Sequence, residues 1–151
     1  MNPDFYHNLI KKVDDLDISL VFANAGCFCI GNFSVIHTLY LEKMLDVNIY
    51  HFTMMHKVFL PWLINKRANL GLKSCIVGTS SVSEVKPMIG FGVTYTASKV
   101  MSSYVGRAIN WEIKSSKHSN LIDTQVMFPG GTDTRILNRP EASKFARMNA
   151  M

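Results

Sequence analysis

Three short, nearly continuous apolar runs divide the chain, and each runs into a turn. Ile18-Ser19-Leu20-Val21-Phe22-Ala23 ends at Asn24-Ala25-Gly26. Ser74-Cys75-Ile76-Val77-Gly78-Thr79 opens into the serine-rich turn Thr79-Ser80-Ser81-Val82-Ser83. Leu121 to Phe128 is cut by Pro129-Gly130-Gly131. Runs of this length bounded by turn residues predict strands buried on both faces, as in parallel sheets. The stretches between them carry a helical period instead. Phe5, Leu9, Ile10 and Val13 follow Asn2-Pro3 and predict a helix that ends at Asp14-Asp15-Leu16-Asp17. Leu41, Leu45, Asn48, Phe52, Met55, Phe59 and Leu63 predict a long helix over 38–66, kinked or divided at Pro61. Val100, Tyr104, Ala108 and Trp111 share a face of a third, over roughly 94–115. Gly31-Asn32, Gly71 and the segment with Pro87, Gly90 and Gly92 read as loops, and 132–151 is polar and weakly helical at best. There is no repeat and no linker. Strand–helix alternation predicts an α/β fold of parallel strands joined by right-handed helical crossovers, with about three core strands.

Composition narrows the class of function. A chain of 151 residues, 48% hydrophobic and 18% charged, is long enough to bury a core and reads as globular. The formal net charge of +5 is scattered over Lys11-Lys12, Lys66-Arg67, Lys114 to Lys117, Arg135 and Arg139. No basic run is interleaved with aromatics, so no nucleic-acid partner is expected; a mild attraction to anionic cofactors is compatible with the charge. Cys27, Cys29 and Cys75 form no zinc spacing and read as apolar loop or core thiols. Their odd number, after the polar start Met1-Asn2-Pro3-Asp4, suggests a reducing, intracellular compartment. No apolar run reaches membrane-spanning length. His51 and His56 lie five apart, poorly placed to share a ligand, and no metal is expected. Met54-Met55 and the helix aromatics read as core or helix-pairing surface.

One pair carries chemistry. Tyr95 and Lys99 are four residues apart, on one face of the third helix. There an ammonium can lower a phenol pKa, and an upstream serine hydroxyl can polarise a carbonyl beside it. Taken alone, such a pair is more simply a helix-surface contact. Asn48, a poor helix former among apolar residues, needs a buried partner and reads equally as structural or as a relay residue. Asn24 and Gly26 suit any tight turn, and Pro129-Gly130-Gly131 any loop.

Taken together these residues resemble the short-chain dehydrogenases/reductases. Ser…Tyr95-x-x-x-Lys99 matches that family's active site, Asn24-Ala25-Gly26 its Asn-Asn-Ala-Gly motif with Ala23 in place of the first asparagine, and Asn48 its helix asparagine. Pro129-Gly130 and Thr134 match the turn that borders the nicotinamide. The order agrees over about 18–134. The family's usual serine spacing falls on Val82; a one-residue insertion in the following loop favours Ser81, with Ser80 and Ser83 left open. The segments 59–62 and 71–99 are similar to the steroid dehydrogenase and long-chain 3-oxoacyl reductase branch.

The resemblance implies a partial Rossmann-like, doubly wound parallel sheet, with NADP or NAD as cofactor and a small-molecule carbonyl or alcohol as substrate. Asn48, Ser81, Tyr95 and Lys99 would be catalytic: Tyr95 the proton donor, Ser81 the carbonyl's partner, Lys99 bound to the ribose, Asn48 in a proton relay. Asn24, Ala25, Gly26, Tyr95, Lys99, Pro129, Gly130 and Thr134 would border the cofactor. It also permits a homodimer through the long helices, and a cytoplasmic or endoplasmic-reticulum location. One family feature is missing: no glycine-rich strand–turn–helix for the cofactor diphosphate precedes Asn24. The expectation is one partial domain over 1–151, the catalytic half, present as a fragment or truncated copy that binds the cofactor poorly. The alternative is an inactive reductase-like chain serving as an interaction or assembly partner.

Overall fold

The computed structural model describes residues 3–29, 31–85 and 92–132. Three parallel strands form its sheet, in the order β1 (Leu20–Ala23), β2 (Ser74–Thr79), β3 (Ile122–Met127). This is the α/β, Rossmann-like arrangement expected, and each strand falls inside its apolar run. Ile18 and Ser19 lie outside the first strand, and Leu121 and Phe128 outside the third. Leu20 to Ala23 pair with Cys75 to Gly78, and Ser74 to Thr79 with Ile122 to Met127, so β2 is central.

Alternation along the strands gives the sheet two unlike faces. Val21, Ala23, Ile76, Gly78, Ile122 and Thr124 face the helices and are buried, whereas Leu20 and Phe22 on the other face are exposed. Helices α3 (Phe52–Lys66) and α4 (Val93–Lys114) both lie on the buried face, α3 over β1 and β2, α4 over β2 and β3. α1 (Pro3–Val13) packs on α3 rather than on the sheet. Trp62 Nε1 donates to Asp14 Oδ1 at 2.8 Å and Lys66 pairs with the same carboxylate at 3.0 Å, tying the end of α1 to α3. Leu9, Ile10 and Val13 pack against the core as expected, while Tyr6, not Phe5, is the fully buried aromatic of α1.

The long middle helix is interrupted, but not at Pro61. α2 (Thr38–Leu45) passes through a π-helical turn, Asp46–His51, into α3, which continues through Pro61. Proline lacks an N–H and frees a carbonyl one turn earlier. Pro61 and Lys57 are both on the exposed side of α3, where water can take that carbonyl. The third helix differs too. The stripe Val100, Tyr104, Ala108 and Trp111 faces solvent, with Trp111 76% and Tyr104 68% exposed. The buried face of α4 is Thr96, Ser98, Lys99, Ser102, Ser103, Gly106 and Ile113. Among the described residues no helix is long and apolar enough to cross a membrane.

Two glycines set how closely the layers approach. A Cβ at Gly78 would lie 2.5 Å from two ring carbons of Phe52, and one at Gly106 would lie 2.7 Å from Val126 Cγ2 and 3.5 Å from Phe52 Cζ. The Phe52 ring therefore fills the space that two absent side chains leave between sheet, α3 and α4.

Candidate active site

At the C-terminal end of β2 the chain turns through Ser80 and Ser81 into the short 3₁₀ turn Val82–Glu84. Parallel α/β sheets place their sites here, because strand ends and helix starts converge there. The three serines of this turn are used differently. Ser80 is buried and its hydroxyl donates to the Lys99 carbonyl at 2.9 Å, with Glu84 Oε2 at 3.0 Å as a second acceptor. Ser83 is buried with its hydroxyl unpartnered. Ser81 is half-buried; its Oγ accepts the Ser83 N–H at 3.2 Å, and its hydroxyl is near enough to the Tyr95 phenol to act on its pKa. One lone pair being taken by Ser83, the Ser81 proton is left for an oxygen on the Tyr95 side.

Tyr95 and Lys99 follow one another by a turn near the start of α4. Phe28 meets the Tyr95 ring edge-to-face at 4.7 Å between centroids. Lys99 is 5% exposed, and its ammonium donates to the Thr79 carbonyl at the end of β2 at 2.9 Å. It lies 5.8 Å from the Tyr95 ring centroid. Burial pushes the Tyr95 pKa up; the Ser81 hydrogen bond opposes this, and the charge of nearby Cys27 adds to it. Burial likewise pushes Lys99 down, with Cys27 working the other way. The expected depression of the phenol by the lysine is therefore not what this geometry produces, because the ammonium is drawn to the Thr79 carbonyl and the phenol is desolvated.

Asn48 enters from the π-helical turn and is 1% exposed. Its Oδ1 accepts the Cys27 N–H at 2.8 Å; its Nδ2 donates to the Cys27 carbonyl at 2.9 Å and to Ser98 Oγ at 2.9 Å. The carboxamide thus pairs with one loop peptide as a neighbouring strand would, fixing the segment that follows β1. Asn24 Oδ1, in that segment, accepts from Thr79 Oγ1 at 2.7 Å, while Ala25 is exposed. Gly26 lies against the same groups: a Cβ there would make ordinary contacts, 3.4 Å from Lys99 Nζ and 3.6 Å from Asn48 Oδ1. Pro129 reaches the same end of the sheet through its carbonyl, which accepts the Val82 N–H at 3.2 Å. Gly130 is exposed with open space around it, and Thr134 lies outside the described residues.

The structure thus gathers Asn48, Ser81, Tyr95, Lys99, Asn24, Gly26 and Pro129 at one end of the sheet. Sequence reasoning passed over Cys27, Thr79, Ser98 and Ser102, which hold these groups. The signal for Ser98 and Ser102 was a run of small hydroxyl residues, Thr96, Ser98, Ser102 and Ser103, where a buried helix face should be apolar.

Comparison with known proteins agrees with this fold. Hydroxysteroid dehydrogenase-like protein 1 of Gallus gallus is 32% identical over 114 residues, which are 73% of this chain and 32% of that protein. A 3-ketoacyl-(acyl-carrier-protein) reductase from Brucella melitensis, solved with NADH, superposes with a TM-score of 0.80 at 16% identity, over 91% of this chain and 55% of its own. RhlG of Pseudomonas aeruginosa, solved as an NADP active-site complex, gives 0.79 at 18% identity, over 97% and 58%. The chain spans about a third of the curated relative and somewhat over half of these solved chains. The sequence profile described as short chain dehydrogenase matches residues 2–144, and the chain belongs to that family.

Proposed function

We propose that this chain carries the catalytic half of an oxidoreductase that interconverts a carbonyl and an alcohol on a small molecule, with NAD or NADP as the redox partner. The observation that carries the reading is Lys99, buried at the end of β2 with its ammonium on the Thr79 carbonyl and 5.8 Å from the Tyr95 ring centroid, beside the turn that carries Ser81. The residues present fit such a cofactor's inner half. Gly26 leaves no side chain over Lys99 and Asn48, and the Gly130 side of the Pro129 loop is open. Asn24, Ala25, Gly26, Tyr95, Lys99, Pro129, Gly130 and Thr134 would hold it, and when bound it supplies or accepts the hydride.

The chain's own residues supply position and the proton. Ser81 offers its hydroxyl hydrogen to the substrate carbonyl oxygen, one of its two lone pairs being held by the Ser83 N–H. As the carbon gains hydride, the oxygen gains the Tyr95 proton. Burial keeps the phenol in its protonated form, the form that can give a proton, while making it a weaker acid. Asn48 holds the loop over Lys99, in keeping with a supporting part in proton relay. A steroid or long-chain 3-oxoacyl substrate is the finer form of the proposal, favoured by the name of the chicken relative and by Phe28 against Tyr95.

The test is reduction of steroid ketones and 3-oxoacyl thioesters by the chain with NADH or NADPH, read at 340 nm (the ordinary nicotinamide absorbance). Tyr95→Phe is expected to lower the rate by about 10²–10⁴-fold. Undiminished activity in Tyr95→Phe, or no cofactor-dependent turnover by the parent chain on any substrate, would overturn it.

A further inference from the structure

Ser102 lies one turn beyond Ser98 on α4, is 1% exposed, and faces the π-helical turn. Its Oγ is 2.6 Å from the Asn48 carbonyl oxygen and 2.8 Å from the Ser98 carbonyl oxygen. A hydroxyl has one hydrogen, so the two carbonyls compete for it, and the shorter contact is to Asn48. A π turn displaces carbonyls from the regular α ladder and leaves them in want of a donor. Ser98 answers from the same face: it accepts from Asn48 Nδ2 and donates to the Tyr95 carbonyl at 2.7 Å. Asn48 is thereby held at both ends, its carboxamide by Ser98 and its main chain by Ser102.

We infer that Ser102 is a positioning residue of this site: its hydroxyl anchors the Asn48 main chain to α4, and so sets the carboxamide that clamps Cys27 and the loop over Lys99. The inference rests on the reductase reading for its link to catalysis, but the anchoring itself does not. A continuous series of hydrogen bonds runs from the Tyr95 carbonyl through Ser98 and the Asn48 carboxamide to the Cys27 peptide. Ser102 closes that series on the main-chain side. With an aliphatic side chain at 102, the Asn48 carbonyl would lose a donor in a place sealed from water, and the π turn would be free to relax toward regular helix.

The test uses the full chain, isotope-labelled, with Ser102→Ala and the near-isosteric Ser102→Cys, whose thiol is a weak donor. In both variants the Asn48 carbonyl carbon resonance should shift, and its Nδ2 protons should exchange with solvent about tenfold faster or more. In the reductase assay kcat should fall about fivefold, with KM for substrate within about twofold. If Ser102→Ala does not fold, Ser102→Cys keeps the volume and the same readings apply. An unmoved carbonyl resonance and unchanged exchange in a folded variant overturn the inference. Absence of turnover in the parent chain sinks the reductase reading alone, and the resonance and exchange measurements then decide the anchoring.

Discussion

α3 and α4 lie side by side on the same face of one sheet and are held there by different forces. α3 buries Phe52, Met55, Val58, Phe59, Trp62 and Leu63, with His56 as its one fully enclosed polar side chain among the described residues. α4 buries Thr96, Ser98, Lys99, Ser102, Ser103 and Gly106, with Ile113 as its buried large apolar side chain toward the far end. The first contact is non-directional and scales with apolar area. The second depends on hydrogen bonds, each worth little net but costly when left half-made. Apolar packing tolerates side-chain adjustment; a bonded network fixes angles. The candidate chemistry is on the helix whose angles are fixed.

The contrast can be broken most severely at Phe52. Phe52→Ala removes the ring that fills the gap at Gly78 and Gly106 and should cost about 3–5 kcal/mol, read by urea unfolding. Next comes Gly78→Ala, whose methyl would meet that ring at 2.5 Å and should cost about 1–3 kcal/mol. Adding Phe52→Leu should return part of the loss, so the two costs will not add. Strict additivity would show that the ring and the glycine are not in contact.

The smallest effect distinguishes the polar contact by pH. Lys99 has a folded pKa below its unfolded value, so burying its charge costs stability until the amine deprotonates. Stability should rise with pH as the folded value is passed, up to about 10.5. Tyr95 is raised, so its contribution is intact below about pH 10 and is lost as pH climbs through its folded value. Lys99→Met should remove the rise and Tyr95→Phe the fall, each by on the order of a few °C in Tm. Parallel pH profiles for parent and Lys99→Met would contradict the assignment.

The strands were legible as short, nearly continuous apolar runs bounded by turns, although among the described residues helices cover one sheet face and Leu20 and Phe22 on the other are exposed, and Ser74–Thr79 was read to the residue. The interruption at Asp46–His51 was not, since a π turn has no residue signature, while Pro61 advertised a break that an exposed position does not require. The stripe through Val100, Tyr104 and Trp111 had a helical period but marked the solvent side; the buried side of α4 is written in serine and threonine, which periodicity discounts. Tyr95 and Lys99 were readable as candidates from their spacing together with the ordered neighbours Asn24, Asn48 and the serine turn. Cys27 was not, because what matters there is its peptide group, and every residue has one.

The parallel register also governs how the polypeptide comes into being. Leu20 pairs with Cys75, 55 positions later, so no rung of the ladder can form until that stretch has been synthesised. At about 5–20 residues per second, translation leaves the first strand waiting about 3–11 s. Throughout that interval Val21 and Ala23, buried in the finished fold, lack their cover and are offered to whatever apolar surface is near the ribosome, and chaperone capture has its opening there. The adjoining helices need only local contacts and can form well before the strand they will cover has a neighbour.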